Sequence, residues 1–583
     1  MEWQGWLTLA VVTATFVALA REWIAPVVAL LGALLLLLVS GVLAPEEALA
    51  GFANPAPFTV AALYVVARAV EKTGALQPLV AVALAGTAGS RARLARLLLP
   101  SAAASALLNN TPIVAMLTPE IAAWSERHGV SPSRFLMPLS FAVILGGVVT
   151  TIGTSTNLVV SGLLEARGMP PLGLFEISTL GLPVALAGIG LIVLLAPRLL
   201  PERRSFREEV RAGAREFLVG MDVVAGGPLE GRTVAEAGLR GLQGVFLIGI
   251  ERDDEHIAPV APETSLHGGD RLHFAGRVEL VIDLQRTRGL VSAERPALEG
   301  LDGAGHTFFE AVIGEGSPLV GRTLRELEFR SRYQAAVVAI HRAGARVGEK
   351  LGRVELQPGD TLLLLGDPAF AERWRDRGDF LLVGQVGGSA PAMSRMAPWV
   401  GAVVLGVVVA SGAGWLPILE ASLLGAAALV ALRVLTPGQA RDAVQLDVVL
   451  LVAASLGLGA AVERSGLADA LAALLASGLD GWGEAGVLLG VVLATMALTE
   501  VITNNAAAAV VFPIALAAAE RVDADPRAWA IAVAIAASAS FLTPIGYQTN
   551  TMVYGAGGYR FGDFARLGAP LSLVVAVMLV WHA

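Results

Sequence analysis

Two pairs of neighbouring asparagines interrupt long apolar stretches of this chain. The first tip is Asn109-Asn110-Thr111, and the second tip is Thr503-Asn504-Asn505. A carboxamide without a partner is costly in a hydrocarbon environment, so each tip is expected to line a cavity or bind a ligand. Side-chain oxygens can coordinate a hard cation, and N–H groups can donate to an anion. Helix N-termini that meet at such a tip add positive dipole ends, which favour an anionic substrate.

A glycine-led polar segment follows each tip after about forty residues. The first loop is Gly153-Thr154-Ser155-Thr156-Asn157, and the second loop is Gly546-Tyr547-Gln548-Thr549-Asn550. Glycine permits an unwound turn inside a helix. The neighbouring hydroxyl and carboxamide oxygens suit sodium, which prefers backbone carbonyls and side-chain oxygens. Tips and loops recur at nearly the same offset, about 393 residues, which indicates an internal duplication.

The composition predicts a protein that crosses a membrane several times. Of 583 residues, 55% are hydrophobic and only 16% are charged, and the mean hydropathy is +0.67. A soluble chain would carry about a quarter charged residues. The runs 24–43 and 448–462 reach or approach the length that crosses a bilayer. The chain has no cysteine, so disulfides and thiolate metal sites are excluded. No basic segment precedes the first apolar run, which is therefore expected to remain as a span.

The apolar runs predict five full spans and one re-entrant hairpin in each half of the chain. Similarity extends beyond the tips and loops, since residues 69–74 match residues 461–466. An odd number of spans makes the second copy enter from the opposite side, so the fold class is a polytopic α-helical membrane protein with two inverted repeats. The predicted spans are 4–20, 24–43, 57–72, 135–161 and 174–197, then 397–412, 416–435, 446–463, 529–553 and 569–582.

The distribution of arginine predicts the orientation. If the central insert is cytoplasmic, most arginines of the connections lie on that side, and only Arg167, Arg464, Arg521 and Arg527 lie on the other. The expected location is the cell inner membrane, with residues 201–396 cytoplasmic and both termini outside. The first hairpin then enters from the cytoplasm and the second from outside.

The insert is soluble in composition and is itself doubled. Residues 227–234 match residues 317–324 at an offset of about 90 residues, and β-prone runs at 245–250 and 335–340 share that offset. The pattern predicts two small α+β modules, each with one short helix, at Thr323 to Glu328 in the second. The predicted units are a first membrane repeat at 1–200, modules at 205–295 and 300–390, and a second membrane repeat at 396–583.

The residues by themselves leave several alternatives open. Asn and Thr often join transmembrane helices without binding anything, and a glycine can simply kink a helix. Glu500 could relay protons, contribute to a sodium field or face an aqueous mouth, and Glu120 has the same ambiguity. No nucleotide-binding motif, nucleophile elbow or metal-ligand spacing is present, so an enzyme is not expected.

With these residues in place, the chain resembles the divalent anion/sodium symporter family, whose hairpin tips and following loops match the two tips and two loops in kind. The tips here carry Asn where that family has Ser or Thr, and both loops lack its Pro-Pro pair. The resemblance implies an elevator-type homodimer with substrate between the tips. It implies one sodium at Asn109, Asn110, Gly153 and Thr154 and another at Thr499, Thr503, Asn504 and Gly546. The implied substrate-binding residues are Asn109, Asn110, Thr111, Thr503, Asn504, Asn505, Thr156, Asn157, Thr549 and Asn550.

The insert resembles two TrkA-C-type domains, which implies an unknown small-molecule ligand that regulates transport. Family members with such an insert look like sulfate permeases, so sulfate is the favoured substrate and a dicarboxylate or related oxyanion is the close variant. The expected partners are the anion, Na⁺, the lipid bilayer and a second copy of the chain, but no nucleic acid. Two other classes remain open: an ion channel gated by the insert, and a proton-coupled or arsenite-type permease with Glu500 as relay.

Overall fold

A computed structural model describes most of the chain. The described residues are 2–21, 23–84, 89–202, 218–239, 245–252, 255–257, 260–276, 289–292, 307–314, 317–342, 345–347, 351–367, 370–374, 379–380, 382–385 and 395–582. The module boundaries predicted at 205, 295, 300 and 390 lie outside them.

The chain before residue 201 is helical. Prolines at the first turn begin several of these helices, where a missing N–H costs nothing, and Gly74 at φ +64° ends the fourth. The helices are α1 (Trp3–Ala20), α2 (Pro26–Val39), α3 (Pro45–Ala53), α4 (Pro55–Thr73), α5 (Gln77–Leu84), α6 (Ser90–Leu107), α7 (Asn110–Arg127), α8 (Leu136–Gly147), α9 (Ser155–Ala166) and α10 (Ser178–Leu199).

The insert contains two five-stranded antiparallel sheets, ordered β3-β2-β4-β1-β5 and β10-β6-β9-β7-β8. Each sheet packs on its own apolar core. The strands are β1 (Leu218–Val223), β2 (Val245–Arg252), β3 (Glu255–Ile257), β4 (Arg271–Gly276), β5 (Leu290–Ser292), β6 (Thr307–Val312), β7 (Ala335–Arg342), β8 (Ala345–Arg346), β9 (Thr361–Gly366) and β10 (Leu382–Gln385). Two short helices, α11 (Phe329–Tyr333) and α12 (Phe370–Trp374), accompany the second sheet.

The chain after residue 395 is helical again. Its helices are α13 (Ala397–Gly412), α14 (Ile418–Ala431), α15 (Pro437–Ala443), α16 (Leu446–Arg464), α17 (Leu467–Leu479), α18 (Gly483–Thr499), α19 (Asn504–Arg521), α20 (Pro526–Ser538), α21 (Gln548–Ala556) and α22 (Phe561–His582).

The helices form one apolar core whose outer surface is also apolar. All side chains of α8 are buried, and α19 and α20 are buried along most of their length. By contrast, α2 buries Leu34 and Leu37 but exposes Leu35 and Leu36. In the described part, five helices are long and apolar enough to cross a membrane, and seven shorter helices are apolar too. An apolar exterior around an apolar core is the pattern of a membrane protein.

Two predicted spans are each divided into two helices. The run 135–161 consists of α8 and α9 with an unwound segment at 148–154, and the run 529–553 consists of α20 and α21 with one at 539–547. These breaks carry the two loops, as the glycine-led motifs predicted. The tips likewise separate α6 from α7 and α18 from α19. A further pair of short helices, α3 and α15, was not predicted as part of any span.

Two polar contacts between the helical parts match each other with exchanged partners. Lys72 Nζ donates to Gln439 Oε1 at 2.7 Å, and Arg464 Nη1 donates to Glu47 Oε1 at 2.6 Å. Lys72 and Arg464 occupy matching positions, and so do Glu47 and Gln439, about 392 residues apart. Each helical part therefore contributes the basic side chain of one contact and the acceptor of the other.

The insert shows a similar pairing within itself. The Arg252 guanidinium binds both carboxylate oxygens of Asp270 at 2.7 Å, and Arg342 binds Asp360 in the same way at 2.8 Å. Burial opposes ionisation of Asp270, but its hydrogen bonds with Arg252 and the His267 N–H outweigh burial and hold its pKa below the usual range.

The helix predicted at Thr323 to Glu328 is wrong. Thr323 and Glu326 exchange hydrogen bonds, in which the Thr323 N–H donates to Glu326 Oε2 and the Glu326 N–H donates to Thr323 Oγ1. These bonds close a turn. Glu328 then has a φ of +45°, which a right-handed helix cannot contain, so the helix begins at Phe329.

Candidate functional site

Both tips place a helix N-terminus at a break in a hairpin. α6 ends at Leu107 and α7 begins at Asn110, while α18 ends at Thr499 and α19 begins at Asn504. A hydroxyl from the incoming helix fixes one carboxamide in each tip. Ser105 Oγ donates to Asn110 Oδ1 at 2.5 Å, and Thr499 Oγ1 donates to Asn504 Oδ1 at 2.8 Å. Ser105 was missed from the sequence, although it precedes its asparagine by five residues as Thr499 does.

The last asparagine of each loop holds the unwound segment in shape. Asn157 Nδ2 donates to the carbonyls of Gly147 and Thr150 at 3.1 and 2.8 Å. Asn550 Nδ2 donates to the carbonyls of Ser540 and Thr543 at 2.9 and 3.3 Å. Carbonyls that lose their helical donors at a break are thereby satisfied.

Gly153 and Gly546 allow neighbouring groups to approach the backbone closely. They are not required by an unusual backbone angle. Neither has a positive φ. A Cβ on Gly153 would overlap the Gly147 carbonyl oxygen, and a Cβ on Gly546 would overlap Ser540 Oγ and lie 3.0 Å from Glu500 Oε2. The loops therefore need glycine because another group occupies the space that a side chain would take.

Each tip contacts the loop that belongs to the other half of the chain. Asn505 Oδ1 accepts from Ser155 Oγ and Thr156 Oγ1, both at 3.2 Å. Thr111 Oγ1 donates to Gln548 Oε1, also at 3.2 Å. These contacts correspond, because Thr111 matches Asn505 and Ser155 matches Gln548 in the duplicated pattern. Tips and loops thus form one polar cluster, which is buried at Asn110 and Asn505 and exposed at Gln548.

The Tyr547 hydroxyl lies at the centre of this cluster. It accepts from Asn110 Nδ2 at 2.6 Å, lies 3.2 Å from Thr154 Oγ1 and is close to the Asn504 side chain. Asn110 is completely buried and Tyr547 is 9% exposed. Tyr547 belongs to the second loop, but its residue type alone predicted no role for it. Its correspondence to Thr154 in the duplicated pattern was the feature of the sequence that pointed to such a role.

Most of the predicted site residues belong to the polar cluster. Asn110 and Thr154 contact Tyr547, and Asn504 lies beside it. Thr111, Thr156 and Asn505 connect the tips to the loops. Asn157 and Asn550 hold the loops, and Thr549 Oγ1 accepts from Ser140 Oγ at 2.9 Å behind the second loop. Among the described residues, Asn109 makes none of these hydrogen bonds; it lies near Tyr64 of α4, which in turn lies near Tyr547. Gly153 and Gly546 have no side chain, so their part in the implied sodium sites would fall to backbone carbonyls.

Two buried oxygens of this cluster have no hydrogen-bond partner in the described part of the chain. They are Asn157 Oδ1, in the first loop, and Thr503 Oγ1, in the second tip. A buried acceptor without a donor is costly unless something binds it. Both are neutral oxygens, of the kind that coordinate hard cations or form hydrogen bonds with water or a ligand.

Glu500 anchors the second loop. Its Oε1 accepts from the N–H groups of Phe541 and Leu542 at 2.7 Å, and Oε2 accepts from the N–H and hydroxyl of Thr543 at 3.0 and 2.8 Å. The residue is 8% exposed, so it does not face an open aqueous mouth. In the first half, Ala106 takes the matching position, and its carbonyl accepts from Thr150 Oγ1. The carboxylate is therefore a feature of one half only.

A comparison with protein-family models matches residues 16–534 to a family described as citrate transporter, CitMHS. An uncharacterized transporter of Synechocystis, sll0640, is 35% identical over 98% of this chain and 95% of its own length. Two proteins of Chlamydomonas reinhardtii, sodium/sulfate cotransporters 1 and 2, are each 26% identical over 100% of this chain and 91% and 90% of their own lengths. The similarity therefore includes the insert as well as both helical parts.

Proposed function

The chain belongs to the citrate transporter family, CitMHS, and is a multi-pass membrane protein; from this premise we propose that it is a sodium-coupled symporter of a small divalent anion, with sulfate favoured. The observation that carries the proposal is the polar cluster in which both tips and both loops meet around Tyr547. Such a cluster, buried between helix N-termini, suits a transported anion. The names of the Chlamydomonas relatives support sodium and sulfate as the transported pair.

In this proposal, sodium compensates the charge of the bound anion. The tip and loop segments 109–111, 153–157, 503–505 and 546–550 contain no lysine or arginine. A divalent anion bound there would be held by neutral N–H and O–H donors and by helix N-termini, and its charge would require compensation. Two sodium ions would supply it. The unpartnered oxygens of Asn157 and Thr503 support one cation beside each half of the cluster.

Asn109, Asn110, Gly153 and Thr154 are proposed for the first sodium, beside the Asn157 oxygen. Thr499, Thr503, Asn504 and Gly546 are proposed for the second. Thr111, Thr156 and Asn505 are proposed to contact the anion, because they lie where one half meets the other.

We further propose that the two helical parts are inverted repeats and that the hairpins with the broken helices move together in an elevator mechanism, within a homodimer. The exchanged contacts of Lys72 with Gln439 and of Arg464 with Glu47 support the inversion. The insert is proposed to be a cytoplasmic pair of TrkA-C-type modules, with both termini outside the inner membrane. The matching Arg252–Asp270 and Arg342–Asp360 pairs support two modules of one kind.

Uptake into proteoliposomes tests the proposed function. An inward sodium gradient is expected to drive accumulation of radiolabelled sulfate, because two bound cations would compensate the charge of the anion. Replacing external sodium by potassium or choline should reduce uptake to that of empty liposomes.

Each of the remaining outcomes would favour a different function. Sodium-driven uptake of succinate or citrate without sulfate would overturn the substrate and keep the coupling. Uptake driven by a pH gradient and indifferent to sodium would favour a proton-coupled permease. A linear, non-saturating current would favour a channel and overturn the symporter.

A further inference from the structure

Tyr547 breaks the approximate symmetry of the polar cluster. The matching residue of the first loop is Thr154, and the two hydroxyls lie 3.2 Å apart, so equivalent positions of the duplicated pattern meet each other. Thr154 has a methyl group and a hydroxyl on its Cβ, whereas Tyr547 carries a six-carbon ring before its hydroxyl. The Tyr547 ring therefore occupies space beside the tips for which the first loop has no matching side chain.

The ring and the hydroxyl of Tyr547 have separate consequences. The hydroxyl accepts from Asn110 at 2.6 Å and lies 3.2 Å from Thr154 Oγ1, so its one proton is available to a ligand when Thr154 is the donor of that pair. The ring is buried and limits how far a bound ligand can extend from the tips towards the second loop. A compact tetrahedral oxyanion needs donors within a small radius, but a dicarboxylate or tricarboxylate must place its charged groups several bonds apart.

We propose that Tyr547 determines substrate specificity, by donating to an oxygen of a tetrahedral oxyanion and by excluding extended carboxylates with its ring. The inference rests on the proposed function and adds the chemical class of the substrate to it. A buried group arranged to bind a particular substrate atom discriminates strongly against ligands that leave it unpaired.

Two substitutions separate the two effects. Tyr547→Thr copies Thr154 into the second loop and removes the ring, so succinate or citrate uptake should rise relative to sulfate by about tenfold. Tyr547→Phe keeps the ring and removes the donor, so the KM for sulfate should rise by about tenfold while carboxylates remain excluded. Tyr559→Phe is the matched control. The Tyr559 hydroxyl is also buried but bonds to Ser133 and Met137, so the ratio of substrates should stay unchanged.

The outcomes distinguish this inference from the proposed function. Wild-type protein without sodium-driven sulfate uptake overturns both. Wild-type protein that takes up sulfate and citrate equally overturns the exclusion by the ring. If wild-type protein prefers sulfate and both Tyr547 variants, folded by thermal melting and gel filtration, keep the wild-type ratio and KM, only the role of Tyr547 is overturned.

A separate contact links the insert to the helix that carries the second loop. A Cβ added to Gly555 of α21 would overlap Thr361 Oγ1 and lie 3.2 Å from Thr361 Cβ. A Cβ on Gly359 would lie 3.5 Å from Tyr554 Cδ1. Thr361 is completely buried, and within the described residues its hydroxyl oxygen has no hydrogen-bond partner. The turn before β9 therefore rests directly on α21.

The first module makes no such contact with its matching turn. A Cβ on Gly269, which corresponds to Gly359, would meet nothing within 4 Å. Arg271, which corresponds to Thr361, is 36% exposed and pairs with Asp222. Within the described residues, the contact is therefore made by the second module and not by the matching turn of the first. Gly555 lies five residues after Asn550, about 7.5 Å along the helix, so the insert touches the helix close to the polar cluster.

We infer that the second module restrains α21 and thereby slows the rearrangement of the second loop that transport requires. A contact made in one conformation lowers the free energy of that conformation and so opposes its conversion to another. The module would then regulate transport through this contact, whatever ligand it binds.

A crosslink tests the restraint, because the natural chain has no cysteine. The pair Thr361→Cys with Gly555→Cys should form a disulfide after a small outward shift of the turn, because the 3.2 Å between the two Cβ positions is just below the about 3.5–4.5 Å of bridged pairs. Oxidation should stop sulfate uptake and a reductant should restore it. The control pair Arg271→Cys with Gly555→Cys should not crosslink or respond to oxidation. Failure of the first pair to crosslink overturns the contact, and full uptake by crosslinked protein overturns the restraint.

Discussion

Gly147→Ala is expected to reduce the initial rate of sulfate uptake by about a hundredfold, the size of effect that a misplacement of about 1 Å can have at a functional site. A Cβ on Gly147 would overlap Asn110 Oδ1 and lie 3.0 and 3.1 Å from Asn110 Nδ2 and Cγ. The Asn110 side chain is held by Ser105 and Tyr547, so it can move only by losing those hydrogen bonds. The substitution therefore displaces Asn110 of the first tip although no tip residue is itself replaced.

Two other glycines separate this effect from a general loss of stability. Gly190→Ala, in α10, is the matched control, because its Cβ would meet nothing within 4 Å, and wild-type uptake is expected. Gly146→Ala would press on the backbone of Ala102, so it should lower the thermal midpoint instead. Radiolabelled uptake and thermal melting of the three purified variants provide the measurement. Wild-type uptake by Gly147→Ala would show that the position of Asn110 does not matter for transport.

Glu500→Ala is expected to abolish uptake and to destabilise the protein. It removes the acceptor of four donors, and each buried donor left unpaired costs about 1–3 kcal/mol. The segment 541–543 would then seek other partners, and the second loop would lose its shape. Glu500→Gln keeps one carbonyl oxygen and the volume of the side chain, so an intermediate thermal midpoint and intermediate uptake are expected. Thermal melting and sodium-driven uptake measure both effects.

Glu484→Ala is the control for Glu500, because that carboxylate lies exposed at the start of the same helix, α18. Wild-type stability of Glu500→Ala would contradict the anchoring role. Uptake that is driven by a proton gradient, ignores sodium and disappears in Glu500→Gln would return Glu500 to the role of proton relay. Four donations to the carboxylate favour the anchor, because a proton on either oxygen would face an N–H group.

The class of protein could be predicted from the sequence because membrane crossing depends on the length and composition of apolar runs, which are local properties. The breaks in 135–161 and 529–553 were also predictable, since Gly153 and Gly546 interrupt apolar helices together with polar neighbours. The same local reasoning failed at Thr323 to Glu328, where side-chain bonds to the backbone close a turn instead of starting a helix.

The duplicated pattern determined which residues of the two halves are equivalent, because an offset of about 393 residues can be read along a linear chain. It did not determine which residues touch. The contacts of Asn505 with Ser155 and of Thr111 with Gln548 join residues 350 and 437 positions apart. Equivalence within a repeat does not specify the axis that relates the copies, so only the packed structure shows that tips meet opposite loops.

The sequence by itself therefore determined a membrane transporter architecture with two polar tips and two broken helices, since those features follow from local composition and spacing. Only the tertiary structure decided that Tyr547 lies at the centre, that Glu500 anchors the second loop and that Thr361 rests on Gly555. In each case the deciding quantity is the distance between side chains far apart in the chain. That distance depends on how the two halves pack together, which no local pattern encodes.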